Sequence, residues 1–251
     1  MEDKQRFSIK ILHICIVLII IISIIFIAVL LVLNYEEKGE SNMPFILSKI
    51  AIISSAQGKD VENSEFKWDI KAILNNDINI YVEKNTKYGK QELISEVKIG
   101  NFNIKKAPNI GSIKIYKPIN TNNVSLFENN DENIANELIF SGSKSTDLKN
   151  LQISNQGGRI CFRCANNEIG EYKSNDDMEI NYNQLLQKMN IDEANLEAVV
   201  SFDIIITLDS GKSFKTEGIE IKIPNKNIVN EGTVGLESTD IENAIFKRIE
   251  N

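Results

Sequence analysis

The sequence predicts an all-β fold, an antiparallel β-sandwich carried on a single N-terminal transmembrane helix. Two observations carry that reading. Residues 11–33, "ILHICIVLIIIISIIFIAVLLVL", hold 19 Ile, Leu, Val or Phe in 23 positions and no charge. From Pro44 onward the apolar residues recur instead at every second position, in short runs separated by Gly, Asn, Asp and Ser. That is the period of strands with one face in a core. With 251 residues, 42% hydrophobic and 25% charged, the chain is long enough for one large domain or two small ones.

The first element is the 11–33 run. At about 1.5 Å of rise per residue it crosses the roughly 30 Å hydrocarbon layer of a bilayer with room to tilt. A cleaved leader would end an apolar run of about 7–15 residues in small residues. Here the run is longer, and "LVLNYEEKGE" follows it without an A-x-A-like site. The expectation is an uncleaved anchor.

Its flanks set its orientation. Lys4, Arg6 and Lys10 precede it, whereas Glu36, Glu37, Lys38 and Glu40 follow. The positive-inside rule puts residues 1–10 in the cytoplasm and the bulk of the chain outside the cell membrane. Residues 1–33 contribute +1 to the net charge of −7, which leaves −8 on the exterior part. Such a surface repels nucleic acid, so no nucleic-acid partner is expected, and the membrane is met through residues 11–33.

Residues 34–43, "NYEEKGESNM", form a polar stalk, and 44–224 is the expected sandwich region. After a strand at 45–54, "FKWDIKAIL" sets Phe66, Trp68, Ile70, Ala72 and Leu74 on one face and Lys67, Asp69 and Lys71 on the other. "NND" follows, and then Ile78, Ile80 and Val82 point inward with Asn79 and Glu83 outward. The pattern reads as a hairpin turning at residues 75–77. Further strands are expected at 93–99, 101–106, 112–117, 150–154, 159–165, 198–208 and 213–223.

Over 118–149 the alternation fades, so the stretch is either a long loop across the sandwich or a division between two small β units. Its "ENNDENIANE" is a solvated acidic loop, without the D-x-[DN]-x-[DN]-G spacing that wraps calcium. The sequon Asn123-Val124-Ser125 is incidental.

Helical signals are sparse. Tyr182, Leu185, Leu186 and Met189 fall at i, i+3, i+4 and i+7, the stripe of an amphipathic helical segment packed on the sheets. The tail, 225–251, is polar. Thr239 and Glu242 stand at capping-box spacing ahead of Ile241, Ile245 and Ile249, which suggests a short helix, although "AIFKRI" equally suits a last strand.

The sharpest expectation concerns residues 196–224. Ala198, Val200, Phe202, Ile204, Ile206 and Leu208 make one apolar face. On the return, Phe214 and Thr216 keep the even phase, but Ile219, Ile221 and Ile223 are odd. The slip at residues 217–218 is the mark of a β-bulge. Keeping even opposite even needs a three-residue turn, Asp209-Ser210-Gly211, with Gly211 left-handed. Leu208 then faces Lys212, Ile206 faces Phe214 and Ile204 faces Thr216.

The chemistry is mostly one of exclusion. His13, the one histidine, lies in the apolar run, so the exterior part has none. Ser-His-Asp and Cys-His catalysis and His-based zinc sites are thereby excluded there. Ser41-Asn42-Met43-Pro44 has the residues of a Ser-Lys protease motif in the wrong order, and Gly157-Gly158 lacks the lysine of a phosphate loop.

Cys161 and Cys164 are spaced C-x-x-C, but "RICFRCA" alternates like a strand, in which i and i+3 point to opposite faces. Cys164 is expected in the core and Cys161 half-exposed, neither disulfide-bonded nor joined on a metal. No catalytic, cofactor-binding or metal-ligating residue stands out, and no cofactor is expected. Carboxylate-only hydrolysis survives exclusion, although nothing marks a pair among the 35 Asp and Glu.

The expected role is a non-catalytic binding, scaffolding or assembly module of a bacterial envelope, whose partner is an envelope protein or cell-wall component. The alternative is a membrane-anchored carbohydrate-active hydrolase using two carboxylates.

Overall fold

A computed structural model describes residues 2–40, 42–62, 64–119, 126–142, 151–176, 179–216, 218–239, 241 and 244–250. The chain divides into two units, 1–41 and 42–251. The first is one helix, α1 (Glu2–Lys38). Its segment His13–Lys38 is long and apolar enough to cross a membrane.

The second unit is built of strands. In chain order they are β1 (Phe45–Asp60), β2 (Trp68–Lys84), β3 (Ile94–Lys106), β4 (Ser112–Tyr116), β5 (Leu138–Gly142) and β6 (Leu151–Ile153). There follow β7 (Gly158–Ser174), β8 (Ala198–Leu208), β9 (Ser213–Lys215), β10 (Ile219–Ile223), β11 (Thr233–Ser238) and β12 (Lys247–Ile249). Two short helices interrupt them, α2 (Leu185–Lys188) and α3 (Ile228–Glu231).

The strands form the two layers of a sandwich. The first sheet has the order β11-β1-β2-β7-β4, and the second runs β12-β9-β8-β3-β5-β6 with β10 also on β8. All neighbours are antiparallel except β5 and β6. Between the layers lies a core in which Phe162 and Phe202 meet edge-on at 5.1 Å. Ile78, Ile80 and Val82 from the first sheet pack there with Ile204 and Ile206 from the second.

Strands β1, β2 and β7 continue past that core. Their extensions carry a second apolar cluster, Ala56, Ile70, Ala72 and Leu74, roofed by Leu185, Leu186, Leu196 and Ile228. The stripe predicted at 182–189 is therefore a 3-10 turn leading into α2, with Leu185 and Leu186 buried on the sheet.

The expected hairpin at 66–82 is instead one unbroken strand, β2, paired with β1 from Ile70 to Lys84. Asn75, Asn76 and Asp77 look like a turn because they are polar, yet all three lie mid-strand. Asn76 accepts from Ser54 Oγ at 2.7 Å and donates to the Cys164 carbonyl at 3.2 Å. Asn75 donates to Gln57 Oε1 at 2.8 Å. With partners of their own these side chains cost little to bury, and Asn76 forms a polar rung between the two apolar clusters.

Other boundaries shift as well. The runs at 93–99 and 101–106 are one strand, β3, with an irregularity near Asn101, whose φ is 54°. The stretch 118–149 contains β5, which pairs with β3 and so belongs to the second sheet. Beyond residue 224 the tail is not a helical appendage: β11 joins the first sheet and β12 the second. In "FKRI" the strand wins because Phe246 is buried while Lys247–Ile249 pair with β9. Glu242 and the sequon at 123–125 lie outside the described residues.

Candidate functional site

The 196–224 hairpin is formed as its periodicity predicts. Ile206 pairs with Phe214, Leu208 N–H donates to the Lys212 carbonyl at 2.9 Å, and Thr216 N–H donates to Ile204 O at 2.9 Å. Gly211 closes the turn at φ 80°. Past the slip, Ile219 pairs with Phe202, one residue out of the earlier phase. The Gly218 N–H donates to Asp203 Oδ1 at 2.9 Å. Partial burial on its own would raise the Asp203 carboxyl, but the Asn101 amide, the Gly218 N–H and Lys215 hold it below its ordinary value.

The bulge also marks where the neighbours of this strand change. On one side of it β9 is flanked by β12. On the other, β8 is the one strand that pairs with β10 among the described residues, and Ile241, in the segment leading into β12, lies near it. Along β8 the even residues turn their amides toward the hairpin partner, so in β10 it is Glu220 and Lys222 whose N–H and C=O point outward. Both side chains are exposed.

The end of the other sheet lies nearby. Strand β11 is the last strand of the first sheet. Leu236 of β11 stands opposite Ile52, on the face that Ile52 turns to the core. Leu236 is 57% exposed.

Between β10 and β11 is a slot of about 400 Å³. Ile50 and Ile52 form its floor, Ile221, Leu236 and Ile241 its walls, and Glu220, Lys222 and Ser238 its rim. An apolar trough beside an end strand such as β11 suits an added extended segment, since the trough takes alternate side chains. None of this was singled out in the sequence. The only trace there is a tail strand, "TVGLES", with a large apolar residue and no obvious core to receive it.

A larger groove, of about 580 Å³, lies on the face of the first sheet turned away from the core. Asp60, Glu62, Asp131 and Glu168 line it together with Lys71 and Lys114. Asp131 is held by Lys114 at 3.3 Å and its side chain is 89% exposed. On that same face, Arg163 donates to both carboxylate oxygens of Asp77, at 2.5 and 2.9 Å, and to Asn129 Oδ1 at 3.1 Å. The Phe127 ring lies 4.8 Å from the guanidinium.

Both cysteines of the C-x-x-C are free and sit in β7, on opposite faces. Cys164 pairs with Asn76 and packs in the core. Cys161 pairs with Asn79. It is buried rather than half-exposed, because its strand is interior to the sheet and that face is partly covered. Burial pushes the Cys161 thiol up to about 11, against a smaller opposing pull from Arg159, and drives Cys164 higher still. Among the described residues no three His, Cys, Asp or Glu gather as a metal site.

No family model, curated protein or solved structure matches this chain. The role of the chain is therefore read from its own surfaces.

Proposed function

We propose that the chain is a single-pass protein of a bacterial cell envelope. Residues 1–10 lie in the cytoplasm, residues 11–33 of α1 span the membrane, and the β domain stands outside. There it works as a non-catalytic binding or assembly module, taking an extended protein segment into the slot between β10 and β11. The observation that carries this reading is Leu236, a large apolar side chain on a core-facing position of the end strand β11, 57% exposed beside the slot. The basic N-terminal flank supports the orientation, and the absence of histidine from residues 34–251 narrows the chemistry open to the domain.

The test is a photo-crosslinking residue, p-benzoylphenylalanine, placed at Leu236 in the full chain in native membranes. The control carries it at Ile104, which is exposed on β3. A protein adduct at 236 and none at 104 is expected. Adducts at both positions alike, or at neither, would sink the reading.

The groove with four carboxylates favours a second reading, a hydrolase acting on carbohydrate with an acid–base pair. A general acid of that kind is made by burial against apolar neighbours. The open, lysine-paired Asp131 ranks this reading below the binding module.

A further inference from the structure

We infer that a hollow at one end of the β domain, lined by Lys90, Lys212 and Arg248, binds a phosphate group, that of a phospholipid headgroup or of the free ion. The inference stands apart from the slot. Its headgroup form rests on the reading of residues 11–33 as a membrane span.

The hollow measures about 410 Å³, and Asn42, Tyr88 and Gly89 complete its lining. Three cations, a phenol and an amide meet there, and among the described residues no carboxylate lines it. The chain beyond residue 33 carries a net charge of −8, so a lining charged by cations alone runs against the balance of the domain. Ammonium and guanidinium groups donate charge-assisted hydrogen bonds to phosphate oxygens, the guanidinium two at a time. Tyr88 and Asn42 add neutral donors for the remaining oxygens. Glu92 lies 3.7 Å from Lys212 and offsets one of the three charges.

Segments far apart in sequence hold these groups together. Tyr88 and Lys90 stand on the loop from β2 to β3, Lys212 ends the turn from β8 to β9, and Arg248 lies in β12. Asn85, at the start of that loop, donates through its N–H to Pro44 O at 2.9 Å and through Nδ2 to Met43 O at 2.8 Å. Both bonds tie the loop to the segment that begins at Asn42. The Asp209 N–H donates to Leu93 O at 2.9 Å and so ties the turn to the other end of the loop. Arg248 pairs with Phe214 across β12 and β9, its guanidinium 5.7 Å from the ring.

The headgroup is the source that the chain itself brings near. Asn42 follows Leu33, the last residue of the apolar run, by nine positions. Nine residues span at most about 30 Å. On the membrane reading, anionic headgroups are therefore within the reach of the tether, and basic pockets are what such headgroups occupy.

The experiment follows the acetylation of each lysine by N-hydroxysuccinimidyl acetate in the full chain, by mass spectrometry of its peptides. Three samples share one ionic strength: dodecyl maltoside micelles without phosphate, the same micelles with inorganic phosphate, and micelles containing phosphatidylglycerol. At saturating phosphate, Lys90 and Lys212 should react about tenfold more slowly than in the first sample. Lys226, exposed elsewhere on the domain, should keep its rate. Arg248→Gln should abolish the slowing with the rest of the acetylation pattern unchanged, and Arg248→Lys should retain it.

Slowing with phosphatidylglycerol alone supports the inference and names the headgroup as the source. Slowing with inorganic phosphate supports it for the free ion, and stands even if residues 11–33 do not cross a membrane. No slowing in either sample, equal slowing at Lys226, or slowing that survives Arg248→Gln would overturn the inference.

Discussion

Ser54 Oγ lies 2.7 Å from Asn76 Oδ1, directly across the β1–β2 pair and fully inside the protein. The same hydroxyl accepts the Asn225 N–H at 2.9 Å, and Asn225 Nδ2 reaches the carbonyls of Ile52 and Val234 at 2.8 Å each. One rung of side chains therefore ties β1, β2 and the segment entering α3. Removing a member leaves buried groups without partners, which costs more than the bond itself is worth. Asn76→Ala is expected to destabilise the β domain by about 2–3 kcal/mol. Urea unfolding of the full chain followed by Trp68 fluorescence measures this, and a loss below about 0.5 kcal/mol would contradict it.

Arg163 and Asp77 make a partly buried ion pair, with side chains 10% and 25% exposed. Taking away the cation alone strands a carboxylate beside Phe127, so Arg163→Met should cost about 3 kcal/mol. Changing both, Asp77→Asn with Arg163→Met, should cost less than the single change. A double variant weaker than Arg163→Met would show the pair to be worth more than its desolvation.

Glycines at left-handed φ separate strain from collision. At Gly211, φ 80°, an added Cβ meets nothing within 4 Å, so Gly211→Ala carries only backbone strain, about 1 kcal/mol. At Gly232, φ 69°, the Cβ would lie 2.4 Å from Asn183 Cα. Gly232→Ala must displace the α3 region and should cost at least twice as much. Equal melting points for the two variants would refute the distinction.

The thiols give the domain an alkaline limit. A thiol whose folded value is raised keeps its proton after the unfolded chain has lost it, so its contribution is complete below about 9 and declines as pH rises. For Cys161 the decline runs from about 9 to about 11 and approaches 1.4 kcal/mol per pH unit. Cys161→Ala should flatten the fall in stability across that interval relative to the parent chain. Below pH 8 neither Cys161 nor Cys164 should react with iodoacetamide in the folded protein. Rapid labelling there would contradict their burial.

Orientation is tested by protease added to intact spheroplasts. Everything after about residue 34 should be digested while the N-terminal segment stays protected. A protected β domain would reverse the assignment.

Periodicity carried much of this fold. The β8–β9–β10 register was legible down to the bulge because even and odd apolar residues cannot both face one core. The separation of Cys161 from Cys164 followed from the same rule. β2 was misread as a hairpin because the partners that make Asn75, Asn76 and Asp77 acceptable inside a strand, among them Ser54, Cys164 and Arg163, lie far away in sequence. β11 was missed because an edge strand with mostly exposed residues shows little alternation. The slot was invisible for a deeper reason. It lies where the ends of two sheets meet, and which residues meet there is decided only when both sheets have been assembled.

The pairing of β1 with β11 joins Ile50 to Ser238 and thereby closes the first sheet with strands from opposite ends of the domain. A chain that emerges N-terminus first can form the β1–β2 hairpin at once, but it must hold the outer side of β1 bare until β11 has been made. Such long-range closure is slow, and the waiting edge is sticky. During that delay the bare edge is exposed to mispairing with other chains. Its yield in the cell should therefore depend on the rate at which the last strands are delivered more than on the final stability of the sandwich.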